Sequence, residues 1–215
     1  MNDMRQMTPR GRDIENSSFA IVDAEVAPHA FAPDAWQVVR RVIHATADFE
    51  FQTLMCLHPR AVAAGIAALR AGCPIVVDVK MIEAGLSPER LGVYGCKVHS
   101  FISDADVIAE AKASNSTRAV EAMRKAQRLG VLDGAIVAIG NAPTALLQLV
   151  DMVDQGQARP ALVIGVPVGF VAAAASKEAA TGLPVPFIVA RGRKGGSPVA
   201  VAVIHALLAL SQEAT

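Results

Sequence analysis

The 215-residue chain balances 20 Lys plus Arg against 20 Asp plus Glu, so no global field draws it to nucleic acid or to an acidic membrane surface. Hydrophobic residues make up 53% and aromatic residues only 4%, the texture of α/β proteins whose parallel strands are covered on both faces. Three cysteines, Cys56, Cys73 and Cys96, are odd in number and form no CxxC pair, which points to a reducing cytoplasm and argues against a disulfide framework or a structural zinc site.

Residues 1–16 are polar, with Pro9, Gly11 and many charges, and read as an N-terminal arm ahead of one α/β domain over 17–215. They lack the apolar core of a secretory signal. Ser18-Phe-Ala-Ile-Val22 suits a short strand, although a helix start here is also compatible. Pro33-Asp34 then opens an amphipathic helix. On it Gln37, Arg40, Arg41, His44 and Asp48 share one face, and Trp36, Val39, Ile43 and Ala47 share the other.

A second extended piece is expected at 53–57, and an alanine-rich helix over 59–71 is stopped by Gly72. Pro74-Ile-Val-Val-Asp78-Val reads as a buried strand, followed by a helical turn at 81–84 with its stop at Gly85. Residues 97–102 are another strand candidate. Helices follow over 104–113 and 117–129, divided by the capping run Ser114-Asn115-Ser116.

The final third is the most regular. Strand runs at 135–139, 161–164 and 186–190 are each followed by a glycine-bearing loop and a helical segment, at 144–155, 170–181 and 198–212. Three such units imply parallel strands with right-handed crossovers, and sheets of this kind bind ligands at the carboxyl ends of their strands.

Two stretches carry chemistry. Arg41 and His44 on one helix face combine a fork for carboxylates with the side chain that titrates nearest neutrality, although a solvated polar face reads the same way. Asp48 could orient His44, or pair with an arginine or with solvent. Gly192-Arg193-Lys194-Gly195-Gly196-Ser197 sets two cations and a hydroxyl before a helix start, which suits a carboxylate or phosphate cradle or an ordinary basic turn. Asn141 and Thr144 can cap a helix or touch a ligand. There is no Walker loop, GxGxxG or GxSxG, and His29, His58, His99 and His205 have no partner at a diagnostic spacing.

Taken together, Ser18-Phe19, Arg41-Val-Ile-His44, Ser116-Thr117-Arg118, Ala138-Ile-Gly140-Asn141-Ala-Pro143-Thr144-Ala-Leu, Val163-Ile-Gly165-Val-Pro167-Val-Gly169-Phe-Val, Ser176-Lys177 and the 192–197 loop resemble the precorrin-8X methylmutase (precorrin isomerase) family of cobalamin biosynthesis. The resemblance runs from about residue 17 to 208. It implies a three-layer α/β/α sandwich with a mainly parallel, flavodoxin-like sheet, and a homodimer. It also implies isomerisation of precorrin-8X to hydrogenobyrinate by migration of one methyl group onto ring C, with no external cofactor and no metal ligand.

By the family's pattern His44 is the catalytic acid, Ser18 and Arg41 bind the tetrapyrrole, and Thr117 and Arg118 are further contacts, within the subunit or across the dimer. Asn141, Thr144, Arg193, Lys194, Gly195, Gly196 and Ser197 complete the expected substrate-binding set. Expected partners are the two macrocycles and neighbouring enzymes of the corrin pathway that receive the product, with no nucleic acid and no membrane. Three alternatives stand beside this reading: the cobalt-containing substrate of the anaerobic branch, a non-catalytic corrinoid carrier, and an unrelated α/β enzyme that grips a phosphorylated metabolite.

Overall fold

The computed structural model describes residues 8–213. It opens on helix α1 (Pro9–Glu25), which replaces both the second half of the expected arm and the strand expected at 18–22. The Thr8 hydroxyl accepts from the Gly11 N–H at 3.0 Å, and Pro9 fills the first turn. Glu15, Phe19 and Val22 follow at helical spacing and are buried, so packing along one helix face outweighs the β-propensity of Ile21 and Val22. Residues 1–7 of the expected arm lie outside the described residues.

Helix α2 (Pro33–Thr46) buries Val38, Val39, Val42 and Ile43 and turns Gln37, Arg40, Arg41 and His44 the other way. The apolar stripe is thus rotated from the expected one: Trp36 is half-buried, and Ala47 is an exposed C-cap at φ 52. A turn of helix, α3 (Phe51–Leu54), leads into β1 (Met55–Leu57), and α4 (Ala61–Arg70) ends ahead of Gly72 at φ 71. After β2 (Ile75–Val77) come α5 (Lys80–Gly85), α6 (Pro88–Gly92) and β3 (Val98–His99), the last far shorter than the 97–102 strand expected.

Helices α7 (Ala105–Ala113) and α8 (Arg118–Arg128) precede the three regular units. These are β4 (Ile136–Ile139) with α9 (Pro143–Asp154), β5 (Leu162–Gly165) with α10 (Ala173–Thr181), and β6 (Phe187–Ala190) with α11 (Ser197–Glu213).

The strands form one sheet in the order β1-β6-β5-β4-β2-β3, parallel except for β1, which runs antiparallel to β6 along the edge. Its five parallel strands, numbered from β2, have the doubly wound order 2-1-3-4-5 of flavodoxin-like sheets. On one face α11 lies against β4 and β5 and packs with α2, α4 and α5, while α1 lies on α2. On the other face α8, α9 and α10 follow one another, with α7 on α8. Two apolar cores result, one on each side of a wholly buried sheet centre, and the α/β/α sandwich is complete. No helix among the described residues is long and apolar enough to cross a membrane.

Candidate active site at the rim of the sheet

His44 occupies the last turn of α2 and is exposed. Its Nδ1 lies 2.8 Å from the Ser18 hydroxyl of α1, and its ring meets the buried Phe19 ring edge-on at 5.1 Å. The helical form of 18–22 creates this meeting, since it places Phe19 into the core and Ser18 one step round towards α2. A hydroxyl that donates to Nδ1 holds the ring in its Nε2–H tautomer and leaves Nε2 with a proton to give.

The two arginines are committed elsewhere. Arg41, expected to bind the substrate, is only 12% exposed and donates to Glu15 at 2.9 Å, itself 5% exposed. Arg40 donates to Asp23 at 2.6 Å, and Asp23 also accepts from the Trp36 indole at 2.8 Å. Both guanidinium groups cover the Phe19 ring, at 4.4 and 5.2 Å. The α2 polar face is therefore mostly the seat of α1, and Glu15–Arg41 is the bolt that fixes Ser18 against His44. The cavity under this seat, bounded by Gln37, Arg40, Arg41 and Ala206, holds about 60 Å³, well short of the ~300–1,000 Å³ of ordinary ligand pockets.

Asp48 lies beyond the helix, past the left-handed Ala47, and does not orient His44. It accepts from Lys194 Nζ at 2.5 Å and from the Glu50 N–H at 3.0 Å, and these two bonds, the lysine first, hold its carboxyl below the usual range. Lys194 also pairs with Glu50, and its two carboxylate partners push its ammonium pKa up. This bridge ties the end of α2 to the loop after β6. Asp48, four residues past His44, is held in that way at the carboxyl end of β6.

The rim loops are stitched together. Gly195, at φ 157, lies so close to the Val166 carbonyl that an added Cβ would stand 2.2 Å from it, and the Gly196 N–H donates to the same oxygen at 2.8 Å. Val168 N–H reaches the Gly140 carbonyl at 3.3 Å, and Gly169 N–H the Arg193 carbonyl at 3.1 Å. Arg193 is exposed and lies 5.4 Å over the Phe170 ring. Ser197 is buried, and Gly140 sits against its backbone, so the expected hydroxyl contact turns inward and the cradle presents Arg193 and Lys194 instead.

Thr117 caps α8, accepting from the Val120 N–H at 3.2 Å, and meets the Thr144 hydroxyl at 3.2 Å. Arg118 and Asn141 are exposed beside them. This second cluster lies on the α8–α9 side of the sheet, opposite the layer that carries His44.

Three residues escaped sequence reading as parts of the site's frame. Asp78, buried at the end of β2, accepts from the N–H groups of Gly140, Asn141 and Ala142 at 3.0, 2.9 and 2.7 Å. Burial raises its carboxyl pKa, and the three donors oppose that rise. Lys177, wholly buried in α10, donates to the Lys194 carbonyl at 2.8 Å, and burial lowers its ammonium to about 8. Glu15 is the third. A lone acid ending an apolar strand and a lone lysine among alanines were the available signals. No group of three or more His, Cys, Asp or Glu able to hold a metal ion occurs among the described residues.

The site is thus the open rim of an α/β/α sandwich, edged by Arg193 and Lys194. The family described as precorrin-8X methylmutase matches residues 13–210, and the chain belongs to that family, whose members are isomerases of cobalamin biosynthesis. It is 55% identical to a cobalt-precorrin-8 methylmutase of Leptospira interrogans over 98% of each chain, and 47% identical to one from Priestia megaterium over 97% of this chain and 92% of that one. A precorrin-8X methylmutase of Pseudomonas aeruginosa is 41% identical over 92% of this chain and 94% of its own length. The crystal structure of precorrin-8X methyl mutase from Thermus thermophilus superimposes with a TM-score of 0.90 at 52% identity, covering 95% of this chain and 98% of that one.

Proposed function

We propose that the protein moves one methyl group from a bridging carbon to ring C of a precorrin-8 macrocycle, with His44 as the general acid. The observation that carries this reading is the exposed imidazole, buttressed at Nδ1 by Ser18 and tethered to the basic rim through Asp48 and Lys194. Proton transfer from Nε2 to the conjugated system makes it electron-poor and draws the migrating methyl; once the new bond has formed, the proton returns. Such catalysis is typically worth ~10²–10⁴-fold, and positioning must supply the rest.

Arg193 and Lys194 are the first partners for the acetate and propionate arms, a substrate carboxylate competing with Asp48 and Glu50 for Lys194. Arg41 acts by bolting α1 in place. The active form is a homodimer in which Thr117 and Arg118 of one subunit serve the other's rim, since this cluster and His44 lie on opposite faces of the sheet. Three free thiols fit a reducing cytoplasm.

The cobalt-containing substrate is favoured by the Leptospira and Priestia relatives, both of which are cobalt-precorrin-8 methylmutases. The test is incubation with precorrin-8X and with cobalt-precorrin-8 in parallel, followed by visible absorbance. His44→Ala is expected to lose at least ~10²-fold in kcat while keeping product affinity. Normal turnover by that variant removes His44 from the mechanism, and the absence of any spectral change with both substrates leaves a carrier.

A further inference from the structure

Among the seven phenylalanines only Phe170 is exposed, and it is 84% so. Val171 beside it is 85% exposed and Val168 is 48% exposed. Large side chains left in water on a floppy loop would fold back onto the surface. This loop cannot do so freely, because its backbone is pinned at Val166 by Gly196, at Val168 by Gly140 and at Gly169 by Arg193. Ala172, held at φ 59, then turns the chain into α10, whose first residue, Ala173, is buried. The fold therefore presents an apolar surface, on a loop anchored at both ends, at the sheet's rim, where ligands of such sheets bind.

Cations edge that surface. The Arg193 guanidinium lies on the Phe170 ring, and Lys194 follows it in the chain. The Lys194 side chain runs to Asp48, four residues past His44, so the cationic edge of this surface is tied to the end of the helix that carries the imidazole.

We infer that Val168, Phe170 and Val171 form the platform on which one face of the corrinoid macrocycle lies, with Arg193 leaving the Phe170 ring to take a peripheral carboxylate. This rests on the methylmutase reading and assigns to it substrate-binding residues beyond those the motifs supplied. A flat conjugated ring with acidic arms is complementary to an apolar surface bordered by the exposed Arg193 guanidinium; a second copy of this chain would have to bring a carboxylate to the same edge. Ring-on-aromatic contact is sequence-blind chemistry of the kind that orients a macrocycle while leaving its reacting carbons to His44.

The experiment titrates hydrogenobyrinate into wild type, Phe170→Ala, Phe170→Trp and Val171→Ser, following visible absorbance, with gel filtration of each. Phe170→Ala is expected to weaken binding at least ~10-fold, Val171→Ser less, and Phe170→Trp to retain it, all with wild-type elution volumes. Equal affinity in Phe170→Ala and wild type overturns the platform. So does a smaller elution size for Phe170→Ala, which assigns the surface to a contact between copies. If wild type itself neither binds hydrogenobyrinate nor turns over either precorrin, it is the methylmutase reading that has failed.

Discussion

Ser18 and His44 are 26 residues apart, yet the catalytic proposal turns on the 2.8 Å between them. A Ser18 hydroxyl that donates to Nδ1 leaves the ring proton on Nε2. Ser18→Ala removes one hydrogen bond, worth about 0.5–1.5 kcal/mol net, from the state in which Nε2 is the donor. Expressed in the chemical step this is a ~3–10-fold fall in kcat with KM nearly unchanged. Steady-state kinetics of the variant decide it: a rise in KM at constant kcat would make Ser18 a substrate contact instead, as the family resemblance implied. Ser18→Thr, which keeps the hydroxyl, should restore most of the rate if the methyl group is accommodated at this half-buried position.

At the scale of elements, the turn from β4 into α9 depends on an acid from a different strand. Asp78 satisfies the three successive N–H groups of Gly140, Asn141 and Ala142 in the turn that leads into α9, so the turn is held by the protein's own carboxyl group. Asp78→Ala strands those donors in a buried setting and is expected to cost ~3–5 kcal/mol of stability. Urea denaturation measures it, and hydrogen exchange at Gly140, Asn141 and Ala142 should quicken by more than the global loss explains. A loss below ~1 kcal/mol would mean that the loop holds itself.

The same example marks what the sequence could express. The three βα units were legible because apolar runs and glycines repeat locally, and the resemblance placed Asn141 and Thr144 at the rim. Asp78 was visible only as a polar residue closing a strand, because its partners are 62 to 64 positions away. Local pattern left 18–22 open between a strand, suggested by a β-branched pair, and a helix start; the deciding term was the burial of Glu15, Phe19 and Val22 along one face of α1, which packs on α2. His44 was found from its face of α2. The commitment of Arg41 to Glu15 was hidden until α1 took its place.

Over the whole molecule, the strand order puts the topological switch between β2 and β4, the usual ligand crevice of such sheets, and Asp78 ties the ends of those two strands together there. The basic ends of the site are shifted towards β5 and β6, where a second buried charge, Lys177, sustains the 192–197 loop. This arrangement gives global stability a signature in alkali. The Lys177 ammonium is held near 8 in the folded protein by burial, against an ordinary lysine value of 10.5. Below about 8 it is protonated in both states, and the fold bears the full cost of burying the charge. Between about 8 and 10.5 the folded protein has released the proton while the unfolded chain still binds it, so stability rises with pH across that window.

The full gap corresponds to ~3 kcal/mol, at about 1.36 kcal/mol per pKa unit. The amine can still donate to the Lys194 carbonyl after losing its proton, so the loop anchor survives the titration. Other lysines and tyrosines titrate in the same range, and the informative quantity is therefore a difference between proteins. Lys177→Met keeps the buried chain but has nothing to titrate. Urea midpoints of wild type and Lys177→Met at pH 7.5, 9 and 10.5 should converge or cross in favour of wild type as pH rises; parallel curves would show that the buried lysine keeps its charge.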